Sequence, residues 1–273
     1  MNAGRPATPA ALAASLLQQR ELVWQLVKRD FIGRYRGSVM GVGWSLFHPL
    51  LMLSIYTLVF SVAFKARWGS PDESKVAFAI VLFSGLIVHG FFAECINRAP
   101  DLVKSNRNYV KKVIFPLEIL PVVTLCSALL HFLVSFAVLL AASLAAGVAV
   151  HGGAWLIPAL LLPLVLLTLG LTWVLASLGV YLPDLSQIVG VVSTVLLFLA
   201  PVFYSADSLP AGYRELISWN PITMPVVQLR DLLLWDKPFL WSAWLQSLAV
   251  GAAVCWAGFW WFQRTRRGFA DVL

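Results

Sequence analysis

Between residues 38 and 64 the chain carries no aspartate, glutamate, lysine or arginine. Charge is scarce throughout, at 12% of residues, where a soluble domain carries about a quarter. That scarcity excludes an ordinary soluble globular class. The net charge of +7 does not imply nucleic acid, because the basic residues gather in a few loops beside apolar runs. Cysteine is sparse too. Cys95, Cys126 and Cys255 lie in or beside apolar segments, at spacings that fit no metal motif and in an odd number that argues against a disulfide framework. The N-terminus lacks a short apolar run ending in a small-residue cleavage site, so the first span is expected to act as its own insertion signal.

Chemical signatures are missing as well. The chain has no G-x-S-x-G elbow, no G-x-x-x-x-G-K-[ST] loop and no HExxH pair. It therefore has no ATP site of its own, and no cofactor or metal is expected on it. No charged residue sits in the middle of an apolar segment, which disfavours an ion-coupled secondary transporter. The absence of a nucleophile–base pair disfavours an intramembrane enzyme. His48, His89 and His131 are the ionisable side chains well inside the apolar segments. Each reads as a buried histidine making one interhelical hydrogen bond.

What is present is apolar length. Hydrophobic residues make up 60% of the chain and the mean hydropathy is +0.82. Six apolar segments cover residues 38–64, 76–93, 117–150, 154–181, 188–204 and 241–262. The first reaches roughly 40 Å as a helix, enough to cross a bilayer with tilt. The third is too long for one straight crossing and too short for two, so it is expected to project from the bilayer. His151-Gly152-Gly153 then forms a tight turn into the fourth. Six crossings put both termini on one side. Lysine and arginine number 14 on the proposed inside, among them Lys28, Arg29, Arg34 and Arg36 before the first span, against 6 outside. That asymmetry predicts cytoplasmic termini. The fold class is an all-α integral membrane protein in one domain spanning residues 1–273.

Residues 10–33 show a helical period. Gln18, Glu21, Gln25, Lys28 and Arg29 share one face; Leu12, Leu16, Val23, Leu26 and Val27 share the other, with Arg20 as an exception. The pattern predicts an amphipathic helix on the cytoplasmic membrane surface, or one packed on a soluble partner. Residues 94–116 form the most polar internal segment. Pro100-Asp101-Leu102 suits a new helix start, and a short cytoplasmic helix there can dock in a cleft of another protein. The alternative is a basic loop that only sets topology. Residues 205–240 are semi-apolar and punctuated by Pro210, Pro221, Pro225 and Pro238. Two short helices re-entering the outer leaflet fit this pattern, either as a channel gate or as a packed outer cap. The 12 tryptophans read mainly as interfacial belt residues. Phe47, Tyr56 and Phe60 recur at near-helical spacing and present flat faces for sugar rings, with lipid-facing packing as the alternative.

The order of short motifs is more specific than any one of them. Arg29-Asp30-Phe31, Arg34-Tyr35-Arg36-Gly37-Ser38, Gly41, Trp44 and His48-Pro49 open the series. Val110 to Pro116, Pro201-Val202-Phe203-Tyr204, Trp219-Asn220-Pro221 with Arg230, and Phe269-Ala270-Asp271-Val272 continue it. From about Arg20 to the end the chain resembles ABC-2 type permeases that export polysaccharides such as O-antigen, capsule and teichoic acid. The family usually has an arginine before the aspartate after the fourth span; here Pro183 precedes Asp184, which puts any ion-pair role at that turn in doubt.

The resemblance implies a homodimer joined to two cytoplasmic ATP-binding subunits, which hold the ATP and magnesium. It implies export of a polyprenyl-diphosphate-linked polysaccharide across the bacterial inner membrane. A coupling-helix region at residues 94–112 would use Asn97, Arg98, Asp101, Leu102, Asn106 and Tyr109, with Arg29 and Asp30 beside it. Arg34, Tyr35 and Arg36 would attract the diphosphate at the substrate entrance. Phe47, Tyr56 and Phe60 would line the channel. Phe203, Tyr204, Trp219, Asn220, Pro221 and Arg230 would belong to the periplasmic gate. An ABC-2 permease for a drug or small hydrophobic molecule is the nearest alternative.

Overall fold

The computed structural model describes residue 14 and residues 17–59, 75–110 and 115–273. Phe60, the Lys111-Lys112 pair and most of residues 10–19 lie outside the described residues. Among those described, the fold is all-helical. Its helices are α1 (Arg20–Gly33), α2 (Trp44–Tyr56), α3 (Lys75–Ser105), α4 (Arg107–Val110), α5 (Ile119–Ala145), α6 (Ile157–Tyr181), α7 (Leu185–Leu199), α8 (Ala211–Ser218), α9 (Thr223–Leu233), α10 (Trp241–Thr265) and α11 (Phe269–Val272).

Five described segments are long and apolar enough to cross a membrane: Gly41–Val59, Val76–Ser105, Ile119–Ala145, Gly152–Tyr181 and Trp241–Val272. The protein is a multi-pass membrane protein. The fifth expected span is the shorter apolar helix Leu185–Leu199, about 22 Å long.

Several boundaries differ from the sequence reading. The second apolar segment does not stop at Ala93. α3 runs unbroken through Pro100 to Ser105, so no new helix starts at the proline. An apolar stripe of Cys95, Ile96, Ala99, Leu102 and Val103 stays buried along this extension. That packing outweighs the loss of one backbone donor, as it does in other membrane helices. α5 ends at Ala145, and a link with Gly147 at φ +68° leads into the turn at Gly152–Leu156. The tight turn expected at residues 151–153 is thus a wider connection. It is held by His151 N donating to the Leu233 carbonyl at 3.0 Å.

α3 is the central helix, packed on α5, α6, α7 and α9. α6 and α10 form the closest pair. Added Cβ atoms on Gly170 and Gly258 would collide with the backbone of the facing helix, so glycine is what lets the two backbones meet without a hydrophobic drive from water. Trp173 is fully buried at this contact and donates its indole N–H to the Glu118 carbonyl at 3.1 Å. α1 packs Leu26 and Val27 against Ile119 and Val123 of α5. α2 is the least covered span, with only Pro49 buried.

Candidate functional site: a cavity and two polar clusters

A cavity of about 850 Å³ opens between α2, α3 and α5. Trp44, His48, Met52 and Tyr56 come from α2; Phe83, Ile87, His89 and Glu94 come from α3; His131, Phe132 and Ser135 come from α5; Leu197 closes it from α7. Its walls are mostly apolar and aromatic. One polar cluster lines it, and a second lies outside its lining.

The first cluster sits where α1 leads into α2. Arg34 pairs directly with Glu94, and His131 Nδ1 lies 3.0 Å from the other Glu94 oxygen. His131 Nε2 pairs with the Tyr35 hydroxyl at 3.0 Å. Arg34 Nη1 also lies 3.2 Å from Nδ1, so the ring is held between the Arg34–Glu94 pair and Tyr35. One turn further along α3, Arg98 donates both guanidinium nitrogens to Asp30, at 2.6 and 3.1 Å. Burial raises the Asp30 pKa, but the Arg98 hydrogen bonds and charge outweigh it and hold the carboxyl below its ordinary value. Burial also raises the Tyr35 phenol. Beside this, Arg29 donates to the Tyr109 hydroxyl at 2.6 Å, and the Tyr109 ring stacks on Phe115. Helix α1 is thus tied to α3 and α4 by charge-assisted bonds, which are about twice as strong as neutral ones, and to α5 by apolar packing.

The second cluster joins α9 to α3 and to the chain after α7. Arg230 of α9 is 1% exposed. It donates to the carbonyls of Val81 at 3.0 Å, Pro201 at 2.5 Å and Val202 at 2.9 Å, and to Ser84 Oγ at 3.2 Å. The Pro201 and Val202 carbonyls follow the C-terminus of α7, where the helix dipole favours a cation. Burial lowers the Arg230 pKa, against a smaller opposing effect of Asp231, and a guanidinium stays charged in a protein. The side chain fits because residue 85 is glycine: a Cβ there would lie 2.6 Å from Nη2. Asn220 joins the same lock. Its amide donates to the Leu196 carbonyl at 2.8 Å, and its Oδ1 accepts from Ile222 N at 3.1 Å.

The expected site residues divide clearly. Arg34, Tyr35 and Tyr56 line the cavity, whereas Arg36 and Phe47 lie on exposed surface outside it. Arg29, Asp30, Arg98 and Tyr109 are brought together. Asn97 and Asp101 are exposed. Leu102 is buried, and Asn106 donates its side chain to the Leu102 carbonyl at 2.9 Å; both serve the helix end. Tyr204 donates to the Leu199 carbonyl at 3.0 Å, and Phe203 stacks on Phe198. Trp219 is 81% exposed, and Pro221 is half-buried. His89 makes the single interhelical contact expected of it, Nε2 to the Ser193 carbonyl at 3.1 Å. His131 instead joins a charged network, and His48 is not buried but exposed to the cavity. Glu94 was missed as a cavity residue because its segment read as a loop. The i, i+4 spacing of Glu94 and Arg98 within the continuing apolar stripe was the available signal.

The ABC-2 type transporter family profile matches residues 21–234, a stretch that includes the cavity and both clusters. The chain belongs to the ABC-2 type transporter family. It is similar to the O-antigen export system permease protein RfbA of Myxococcus xanthus, at 27% identity over 264 residues, covering 96% of this chain and 99% of the relative. A protein of the same description from Klebsiella pneumoniae is 25% identical over 215 residues, covering 78% and 80%.

Proposed function

We propose that this protein is the transmembrane subunit of an ATP-driven exporter of polyprenyl-diphosphate-linked polysaccharide, working as a homodimer in the bacterial inner membrane. The observation that carries this reading is the cavity. It has the hydroxyl of Tyr35 and the Arg34 guanidinium, held by Glu94, at one end, and aromatic walls from Trp44, Tyr56, Phe83 and Phe132. Arginine suits a diphosphate because its planar fork binds oxyanions in pairs. Flat aromatic walls suit a glycan of varying sequence. Resemblance to O-antigen export permeases supports the same cargo.

In this mechanism Glu94 holds Arg34 until an incoming diphosphate competes for it. The platform of α1, the α3 extension and α4 couples to a separate ATP-binding subunit through its exposed residues Asn97 and Asp101. Loop charge supports cytoplasmic termini. α7 makes the fifth of six crossings, and α8 and α9 re-enter the outer leaflet as the gate. A second copy covers α2 and α7, whose outward residues Leu50, Ile55, Val191 and Phe198 are exposed in one subunit. Opening the path requires α9 to release the carbonyls held by Arg230.

Affinity purification from native membranes in mild detergent tests the assembly. A stoichiometric soluble subunit with ATP hydrolysis supports the reading. A clean 30.1 kDa chain without ATPase activity contradicts it.

A further inference from the structure

A second cleft, of about 400 Å³, separates α1 from α5 and belongs to neither cluster. Its lining is apolar on both sides: Val23, Trp24 and Val27 from α1, and Val122, Cys126 and Leu129 among the residues from α5. One cation, Arg20, stands at its rim. Arg20, Val23, Trp24 and Val27 follow the i, i+3, i+4, i+7 rule, so one helical face presents the charge and the apolar floor together. Trp24 is 63% exposed, an amphipathic ring of the kind that settles at headgroup level. α1 ends at Gly33, just before the apolar segment that starts at Gly41, so the cleft opens at the membrane boundary. Neither water nor a soluble partner suits an apolar trough at that level. A membrane lipid does.

We infer that the cleft between α1 and α5 binds an anionic phospholipid, with an acyl chain in the trough and the headgroup phosphate on Arg20. Bound there, the lipid wedges α1 against α5 and supports the platform that carries Asp30 and Arg29. The site is distinct from the Arg34 cavity, with which it shares no lining residue.

Cys126 makes the site measurable. It is half-exposed and lines the cleft, whereas Cys95 and Cys255 are buried. The full-length protein, with Cys95 and Cys255 replaced by Ala, is placed in nanodiscs of phosphatidylcholine alone or with phosphatidylglycerol, and alkylation of Cys126 by N-ethylmaleimide is timed. One cation at the membrane surface corresponds to about fivefold in anionic-lipid occupancy. Phosphatidylglycerol should therefore slow alkylation about that much, and Arg20→Gln should abolish the difference while leaving the rate in phosphatidylcholine unchanged. Leu129→Trp, which fills the trough, should slow alkylation equally in both lipids. Equal wild-type rates in the two lipids overturn the inference. So does protection that survives Arg20→Gln. If deleting residues 2–13 speeds alkylation equally in both lipids, the chain's own N-terminus is the occupant and the inference fails.

Discussion

Glu94 is a carboxylate with Arg34 and His131 as close partners and Arg98 at 3.8 Å. Replacing it with Gln keeps the shape and removes the charge. The account predicts that Glu94→Gln frees Arg34 for an anionic cargo. The exporter then binds a polyprenyl diphosphate more tightly but releases it more slowly, which a binding isotherm and a turnover assay on the reconstituted complex would separate. Asp30 behaves differently. Its folded pKa is depressed, so its contribution is present above the unfolded carboxylate value, about 3.9, and is lost only as pH falls through the folded one. Thermal stability should therefore be flat in the neutral range and fall below about pH 4, and Asp30→Asn should melt lower at every neutral pH. A wild-type melting point that drops between about pH 6 and 7 would assign the clamp to another group. Arg230→Lys should not substitute for arginine, because one ammonium cannot reach the carbonyls of Val81, Pro201 and Val202 together. Each buried acceptor left unmet costs about 1–3 kcal/mol, so the variant should melt well below wild type.

At the scale of elements, the long spans were legible and their ends were not. Hydropathy marked α3, α5, α6 and α10, because a run of uncharged residues has few other uses. The α3 extension was misplaced because Glu94, Arg98 and Pro100 look like a loop one residue at a time; its burial depends on α5 and on Gly179 of α6, which lies against the Pro100 backbone. Tertiary contact decided that boundary, and local pattern does not contain it. The two short helices after Tyr204 were legible from proline spacing. The Arg230 lock was not, since its partners are backbone carbonyls far away in sequence. The cavity was half legible: Arg34, Tyr35 and Tyr56 line it, but Glu94 and His131 needed the fold to bring them there. Re-entry of α8 is tested at its exposed positions, Tyr213 and Leu216. Single cysteines there should resist an impermeant thiol reagent in intact cells, and full labelling would place α8 outside the bilayer. Cysteines at Ile217 or Val226 would not discriminate, because the fold already buries both. Gly170→Leu should separate α6 from α10 and abolish folded protein in detergent, as judged by size-exclusion chromatography.

At the scale of the whole molecule, the proposed assembly uses the exposed faces of α2 and α7 and the exposed platform around Asp101. Charge reversal at Asp101 tests the platform more cleanly than reversal at Arg98, because Arg98 also holds Asp30. Asp101→Lys should leave the melting point unchanged and reduce recovery of the ATP-binding subunit. Unchanged recovery would move the docking surface elsewhere. The central claim, ATP-driven movement of a lipid-linked glycan, is tested most directly in inverted inner-membrane vesicles from the native cell. The measurement is the fraction of polyprenyl-diphosphate-linked polysaccharide that becomes protected from an added glycosidase. Protection that requires both ATP and this chain, and that is lost in Arg34→Glu, is the predicted result. Protection that is the same with and without the chain would contradict the account.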